Sequence, residues 1–317
     1  MGIPLVSVIM NCLNGAHYVS HALDTVFSQT YPHWEIIFWD NGSTDESSII
    51  AKRYGEKVRC FKSDVTTTLG EARNNALAKC QGEYVAFLDV DDLWLPEKLE
   101  QQVSLFEQNP KLGLVFSDSL LFNEKGDQYR LFELFVPKRG IVFGELLKNN
   151  FMQTVTIMYR KDALASLPYV FDNRFTMAMD YDLSLRVAYF YEIDYVDRPL
   201  CKWRMHPGSE SNRKRFLMPK ENQIVIEKLR RELPDIETRY KDEVHLFLKA
   251  FVHRQLAFEQ WDEGNRARAR AYLSPYLKDP TCLLTYVSTW IFPFSVFDRI
   301  KTLSVNKLLW YIRRGNA

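Results

Sequence analysis

The chain is predicted to fold as an α/β domain, a mostly parallel sheet with helices on both faces, followed by a helical extension. Three observations predict it. Short β-branched apolar runs alternate with segments of helical periodicity through the first third of the chain. Several of these runs stop at a polar loop carrying Asp or Asn, and in such sheets ligands bind beyond the carboxyl ends of the strands. From about Ser119 the alternation breaks, and past Arg213 the pattern is helical. The division expected is a catalytic domain over 1–215 and a helical extension over 216–317.

LVSVIMN (5–11) is the first buried strand, and Val19, Leu23, Val26 and Phe27 then recur on one helical face. HWEIIFWD (33–40) is the second strand. It ends at NGSTDES, where Ser43 and Glu46 have capping-box spacing for a helix through Ile50. KVRCFKS (57–63) is a third strand, and LGEARNNALAKC (69–80) a helix stopped by Gly82. YVAFLD (84–89) is a fourth strand, and Pro96 opens the next helix. LGLVFSD (112–118) is a fifth, followed by a hairpin turning at Lys125-Gly126-Asp127. TVTIMYRK (154–161) reads as a strand, MDYDLSLRVAYFY (179–191) as a helix, and IDYVDRPLCKWRMH (193–206) as short extended pieces. Val244 to Gln260 and Asn265 to Leu277 form a helix pair about Gly264.

Composition narrows the function classes. The 317 residues are 46% hydrophobic and 26% charged, with a net charge of +1 that gives no field for nucleic acid. Cys12, Cys60, Cys80, Cys201 and Cys282 are scattered without a CxxC pair, as expected of reduced thiols in a cytoplasmic protein. The N-terminus lacks the basic region and cleavage site of a secretory signal. The most apolar charge-free run, 280–297, contains Pro293 and several hydroxyl residues, and falls short of the ~20 apolar residues of a spanning helix.

The chemistry concentrates at YVAFLDVDDLW, where Asp89, Asp91 and Asp92 close an apolar run. Two carboxylates about 4 Å apart repel by roughly 4 kcal/mol at an effective dielectric of 20. A cation belongs there, and hard divalent ions such as Mg²⁺ and Mn²⁺ take carboxylate oxygens.

In order along the chain, SVIMNCLNG, EIIFWDNGSTD, GEARNNAL, YVAFLDVDD, MDYDLSLR and WRMHPGS resemble the family 2 glycosyltransferases of the GT-A fold. The resemblance runs from the first strand through WRMHPGS (203–209). It implies an inverting, metal-dependent transfer from a nucleotide-diphospho-sugar, UDP-linked, to a glycan or lipid-linked acceptor, as in surface polysaccharide synthesis. By position, Cys12 and Asn14 resemble residues lining the base site, Asp40 the acid that bonds the base, and Arg73 an arginine near the base or diphosphate. Asp89 resembles the ribose-facing acid of a DxD motif, Asp91 its metal ligand, with Mn²⁺ or Mg²⁺ implied. His206 resembles a histidine that helps hold the metal or diphosphate. Asp180 resembles the catalytic base of a Glu-Asp pair whose first member is here Met179. The family's Pro-Thr-Tyr-Asn reads here as Asn11-Cys12-Leu13-Asn14, without the tyrosine that stacks on the base.

Plainer readings stand beside these. Asp40 has the chemistry of a turn cap, Arg73 of a surface charge and His206 of a packed histidine. Asp180 and Asp182 suit the first turn of any helix, and for Asp182 that reading is preferred. A haloacid dehalogenase-type phosphatase also ends a strand in Asp-x-Asp, with Asp89 as nucleophile. A non-catalytic nucleotide-binding partner subunit is a third reading. Val305, Leu308, Leu309 and Ile312 share a helical face flanked by Lys307, Arg313 and Arg314. That face suits either the cytoplasmic membrane surface, making the protein peripheral there, or packing on the catalytic domain or a second subunit of a homodimer.

Overall fold

The structure is a computed structural model and describes residues 2–206 and 208–299. The chain divides into two compact units, Met1–Phe216 and Leu217–Ala317. In the first, β1 (Val6–Cys12), α1 (Ala16–Phe27), β2 (Trp34–Asp40), α2 (Ser47–Lys52), β3 (Val58–Lys62), α3 (Leu69–Leu77) and β4 (Tyr84–Phe87) alternate as expected. Then come β5 (Leu93–Trp94), α4 (Lys98–Gln108), β6 (Leu112–Asn123), β7 (Gly126–Arg130), α5 (Phe143–Lys148), β8 (Met158–Arg160), α6 (Lys161–Ala165), α7 (Met179–Phe190), β9 (Glu192–Arg204) and α8 (Glu210–Lys214).

The strands form one nine-stranded sheet in the order β3-β2-β1-β4-β8-β6-β9-β5, with β7 on β6. From β3 to β4 it is parallel. Beyond β4 it is mixed: β8 is antiparallel to both β4 and β6, while β6 and β9 run parallel. All seven residues of β1 are buried, as befits a central parallel strand covered on both faces. Val6, Val8, Met10 and Cys12 on one face pack with Val19, Leu23 and Val26 of α1 in the main core.

Local departures from expectation have physical causes. Glu46, rather than Ser43, precedes α2, and no side chain caps that helix. The Ser43 hydroxyl is committed elsewhere, accepting from the Asn14 N–H at 2.9 Å. α3 ends at Leu77, five residues before Gly82. Gly82 serves packing instead: a Cβ there would lie 2.5 Å from the Leu5 carbonyl oxygen, so only glycine lets the chain enter β4 beside β1. α4 begins at Lys98, two residues after Pro96. The 154–161 segment is a strand only over Met158–Arg160, preceded by a 3₁₀ turn. The 193–206 region is one long strand, β9, whose register on β6 shifts several times.

Lys98 is fully buried at the start of α4. Its Nζ lies 4.5 Å from the Trp94 ring centroid and donates to Gln102 Oε1 at 2.5 Å. Burial pushes its ammonium down to about 8, with only a weak opposing pull from Cys201. The unfolded chain keeps that proton to pH about 10.4. Between those limits unfolding takes up a proton, so stability rises with pH, and below pH 8 the folded state carries the full cost of a buried cation. Lys98→Met is expected to raise stability by about 2 kcal/mol at pH 7 and to flatten the rise between pH 8 and 10. Urea melts at both pH values check this, and equal wild-type stability at pH 7 and 10 would count against it.

In the second unit, α9 (Met218–Glu232), α10 (Ile236–Arg239) and α11 (Lys241–Phe247) lead through a π-helical stretch, Leu248–His253, into α12 (Arg254–Asp262). α13 (Arg266–Leu273) and α14 (Pro280–Ile291) follow the turn at Gly264, whose φ of +85° suits glycine. Ala257, Trp261, Ala269, Leu273, Tyr276 and Cys282 form its core. Among the described residues no helix is long and apolar enough to cross a membrane. The amphipathic face at 305–312 lies outside the described residues.

Candidate active site

The β1–β2 register sets Cys12 beside Asp40, and Leu88 N–H donates to the Ile9 carbonyl at 3.0 Å, extending the ladder toward Asp89. The residues after β1, β2 and β4 therefore share one rim. Three local groups of side chains stand on it.

The first joins the β1 and β2 loops. Asp40 is buried, and its Oδ1 accepts from the Ser43 N–H at 2.6 Å. Its Oδ2 accepts from the Ser48 hydroxyl and lies 3.7 Å from Lys62 Nζ. Burial pushes this carboxyl up, but the Ser48 and Ser43 hydrogen bonds and the Lys62 charge together hold it below its ordinary value. Asn14 has φ of 55°, a left-handed conformation that asparagine tolerates. Its Oδ1 accepts from the Thr44 N–H at 2.9 Å. Asn14 and Asp40 are thus linked through the Ser43-Thr44 turn. The Cys12 side chain packs with the core, and burial raises its thiol. Its thiol also borders the β1 loop at Gly15, and its carbonyl accepts from the Asn41 N–H at 2.8 Å.

Arg73 organises the second group. It projects from α3, whose first turn is capped by the Thr68 hydroxyl accepting from the Glu71 N–H at 3.2 Å. Its guanidinium is buried against the Phe87 and Phe171 rings, 5.4 and 5.7 Å from their centroids. Nη2 donates to Asp89 Oδ1 at 3.0 Å, and Nη1 donates to Asp180 Oδ1. Burial opposes its charge, but Asp180 and Asp89 outweigh it and hold the arginine protonated above its ordinary range. Asp180 stands in the first turn of α7 with 26% of its side chain exposed. Asp89 keeps 40% of its side chain exposed. Its carboxyl is raised, by burial first and by Asp91 and Asp180, against the pull of Arg73. Met179, where the resembled family carries Glu, is buried. Asp182 is structural, paired with Arg186 Nη2 at 2.8 Å.

The third group is Asp91 and His206. Nε2 of His206 lies 3.1 Å from Asp91 Oδ2. β9 delivers this histidine: Arg204 Nε donates to the Asp91 carbonyl at 2.7 Å, and its N–H donates to Asp92 Oδ1 at 2.8 Å. Asp92 is buried, and burial beside Asp91 and Asp89 raises it well above the ordinary range. Tyr18 completes the surroundings, its ring 5.7 Å from His206 and 5.1 Å from the Arg204 guanidinium. Among the described residues no three His, Cys, Asp or Glu side chains are grouped to hold a metal. One carboxylate and one imidazole do converge, an open set that suits a hard cation completing its shell from a diphosphate and water.

Sequence reasoning missed Ser43, Ser48 and Arg204. The hydroxyl-rich run STDESS after Asp40 was the signal for the first two. Arg204 stands inside WRMH, and only the β9 register reveals that it ties the histidine to the Asp-rich turn.

The sequence model of Glycosyl transferase family 2 matches residues 7–167. An uncharacterised glycosyltransferase of Rickettsia felis is 29% identical over 258 residues, 77% of this chain and 41% of that protein, so the chain spans less than half of that relative. The Escherichia coli UDP-Glc:alpha-D-GlcNAc-diphosphoundecaprenol beta-1,3-glucosyltransferase WfgD is 27% identical over 213 residues, 66% of this chain and 81% of WfgD. Staphylococcus aureus TarS, solved with UDP-GlcNAc, superposes with a TM-score of 0.58 at 18% identity, over 90% of each chain.

Proposed function

The chain belongs to glycosyl transferase family 2, and we propose that it transfers a sugar from a UDP-sugar to the hydroxyl of a glycan or lipid-linked acceptor, inverting the anomeric centre. Its GT-A fold is that of its structural neighbours. Membership in this family sets the phosphatase reading aside, as does the engagement of Asp89 by Arg73. The observation that carries the proposal is the Arg73 bridge, which holds the candidate base Asp180 beside the Asp89 end of the Asp-rich turn.

Asp180 accepts the proton of the acceptor hydroxyl as its oxygen bonds to the anomeric carbon and the bond from that carbon to the diphosphate breaks. A positioned base of this kind contributes about 10²- to 10⁴-fold. Arg73, already charged and desolvated, faces the negative charge that grows on the leaving diphosphate. Asp89 receives the ribose, and the first group of loops receives the base. Asp91 and His206 would hold a divalent ion, Mn²⁺ or Mg²⁺, whose chemistry is to neutralise the diphosphate. The names of WfgD and of the TarS complex support a UDP-linked donor, and that of WfgD supports a lipid-diphosphate acceptor.

Thermal shift against UDP, GDP, dTDP and CDP, with and without Mn²⁺, tests the donor site. A nucleotide at 100 times its Kd stabilises by about 2.7 kcal/mol. The expected result is a Mn²⁺-dependent rise with UDP that is lost in Asp91→Ala. No rise with any nucleotide overturns the proposal.

A further inference from the structure

The helix α14 carries its side chains inside out. Cys282, Thr285, Ser288 and Thr289 are buried. Leu283, Leu284, Val287, Trp290 and Ile291, at i, i+1, i+4, i+7 and i+8, share the outward face. Leu284 is 65% exposed, and Trp290 and Ile291 62% each. The buried hydroxyls are satisfied within the helix. Thr285 donates to the Thr281 carbonyl at 2.8 Å, Ser288 to that of Leu284 and Thr289 to that of Tyr286, both at 2.7 Å. The inward face therefore costs little, and what stays uncovered is the more apolar one. Phe292 and Val296, just past the helix, are exposed as well. Single exposed apolar residues are ordinary, but a contiguous face of this kind marks a contact.

We propose that this face is an interaction surface for anionic lipid, with α14 lying in the headgroup layer of a bilayer. Charge selects the occupant. The helix itself carries no charged residue, but from Gly264 to Ala317 the chain holds nine Lys and Arg against Asp279 and Asp298, a net +7 in a protein of net +1. Arg270 brings one of these cations to the face, its guanidinium 3.7 Å from the Trp290 ring centroid. A second copy docking through the same patch would set this positive charge against itself. The sequence 300–317 would add Lys301, Lys307, Arg313 and Arg314 with no acid among them. An anionic lipid surface complements the charge. Acyl chains also take Leu, Val and Ile without hydrogen-bond partners, and apart from the Trp290 N–H these five side chains offer none. At 12 residues α14 is about 18 Å long, too short to cross ~30 Å of hydrocarbon, so it lies along the surface. The proposal stands apart from the donor and acceptor assignments made above.

Flotation of the full chain with vesicles, without nucleotide or acceptor, tests the assignment. One set of vesicles is phosphatidylcholine alone, and the other contains about one-third phosphatidylglycerol. Binding to the anionic set is expected to be at least about tenfold tighter, and to weaken as salt is raised. Leu284→Asn combined with Ile291→Asn is expected to weaken that binding about tenfold or more. Both side chains are exposed, so the pair should melt within about 2 °C of wild type. Should it melt lower, Val287→Thr keeps the side-chain shape and is expected to weaken binding about threefold. Brominated acyl chains are expected to quench the tryptophan fluorescence of wild type, and that of Trp290→Phe less. A wild type that floats with neither set overturns the proposal, as do variants that bind like wild type. A wild type that sediments as a dimer, beside a paired variant that sediments as a monomer, would give the face to a second copy and overturn it too. Failure here leaves the transfer reading standing, because no step of the measurement involves UDP or an acceptor.

Discussion

Asp180→Asn is expected to lower kcat by about 10²- to 10⁴-fold while leaving nucleotide affinity close to that of wild type. The asymmetry follows from where Asp180 stands. It is in the first turn of α7, on the far side of Arg73 from Asp89. An amide keeps the Oδ1 acceptor toward Arg73 Nη1, and Arg73 keeps Asp89 as a charged partner. The donor side of the cleft therefore survives, and what is lost is an anion able to take a proton. Single-turnover transfer measured beside UDP titration separates the two effects. A kcat within about threefold of wild type would remove Asp180 from the chemistry. A wild type that binds UDP but transfers to no acceptor would favour the non-catalytic partner subunit.

The parts of this site legible in the sequence are those fixed by local chain geometry. Asp40 and Asp89 follow apolar runs, and a parallel sheet carries such residues to one rim whatever the loops do. Arg73 could be placed on a helix, but not between two carboxylates. That depends on α7 bringing Asp180 across the chain, a pairing separated by 107 residues. His206 is similar: its approach to Asp91 needs β9 to run as one long strand with shifting register, where the sequence reads as short extended pieces. Cys12 packs with the core for a simpler reason. Strand alternation turns its thiol onto the core face with Val8 and Met10, a consequence of period two. The Ser43-Glu46 spacing misled, since the Ser43 hydroxyl has a closer claimant in Asn14.

Arg73→Ala is expected to cost about 3 kcal/mol of stability as well as most of the activity. Removing one member of a buried ion pair leaves the others uncompensated, an effect of about 3 to 5 kcal/mol. The lower end applies because Asp89 and Asp180 keep 40% and 26% of their side chains exposed and can rehydrate. For a unit of this size that is a fall in Tm of roughly 6 to 12 °C. The loss should depend on pH. Without the cation, Asp89 is left with Asp91 and Asp180 as like charges, and burial already raises its carboxyl. A folded-state value raised above the unfolded ~3.9 means the native variant binds more protons, so its stability rises as pH falls through that raised value. The deficit against wild type should therefore shrink at pH 5. Arg73→Lys separates charge from geometry: one ammonium supplies the charge but not the planar fork that reaches Asp89 and Asp180 together. It is expected to recover more of the stability than of the transfer rate. Calorimetric melts of both variants at pH 5 and 7 decide it. An Arg73→Ala variant that melts within about 2 °C of wild type at pH 7 would mean that the three side chains are not coupled, and the bridge would lose its place in the mechanism.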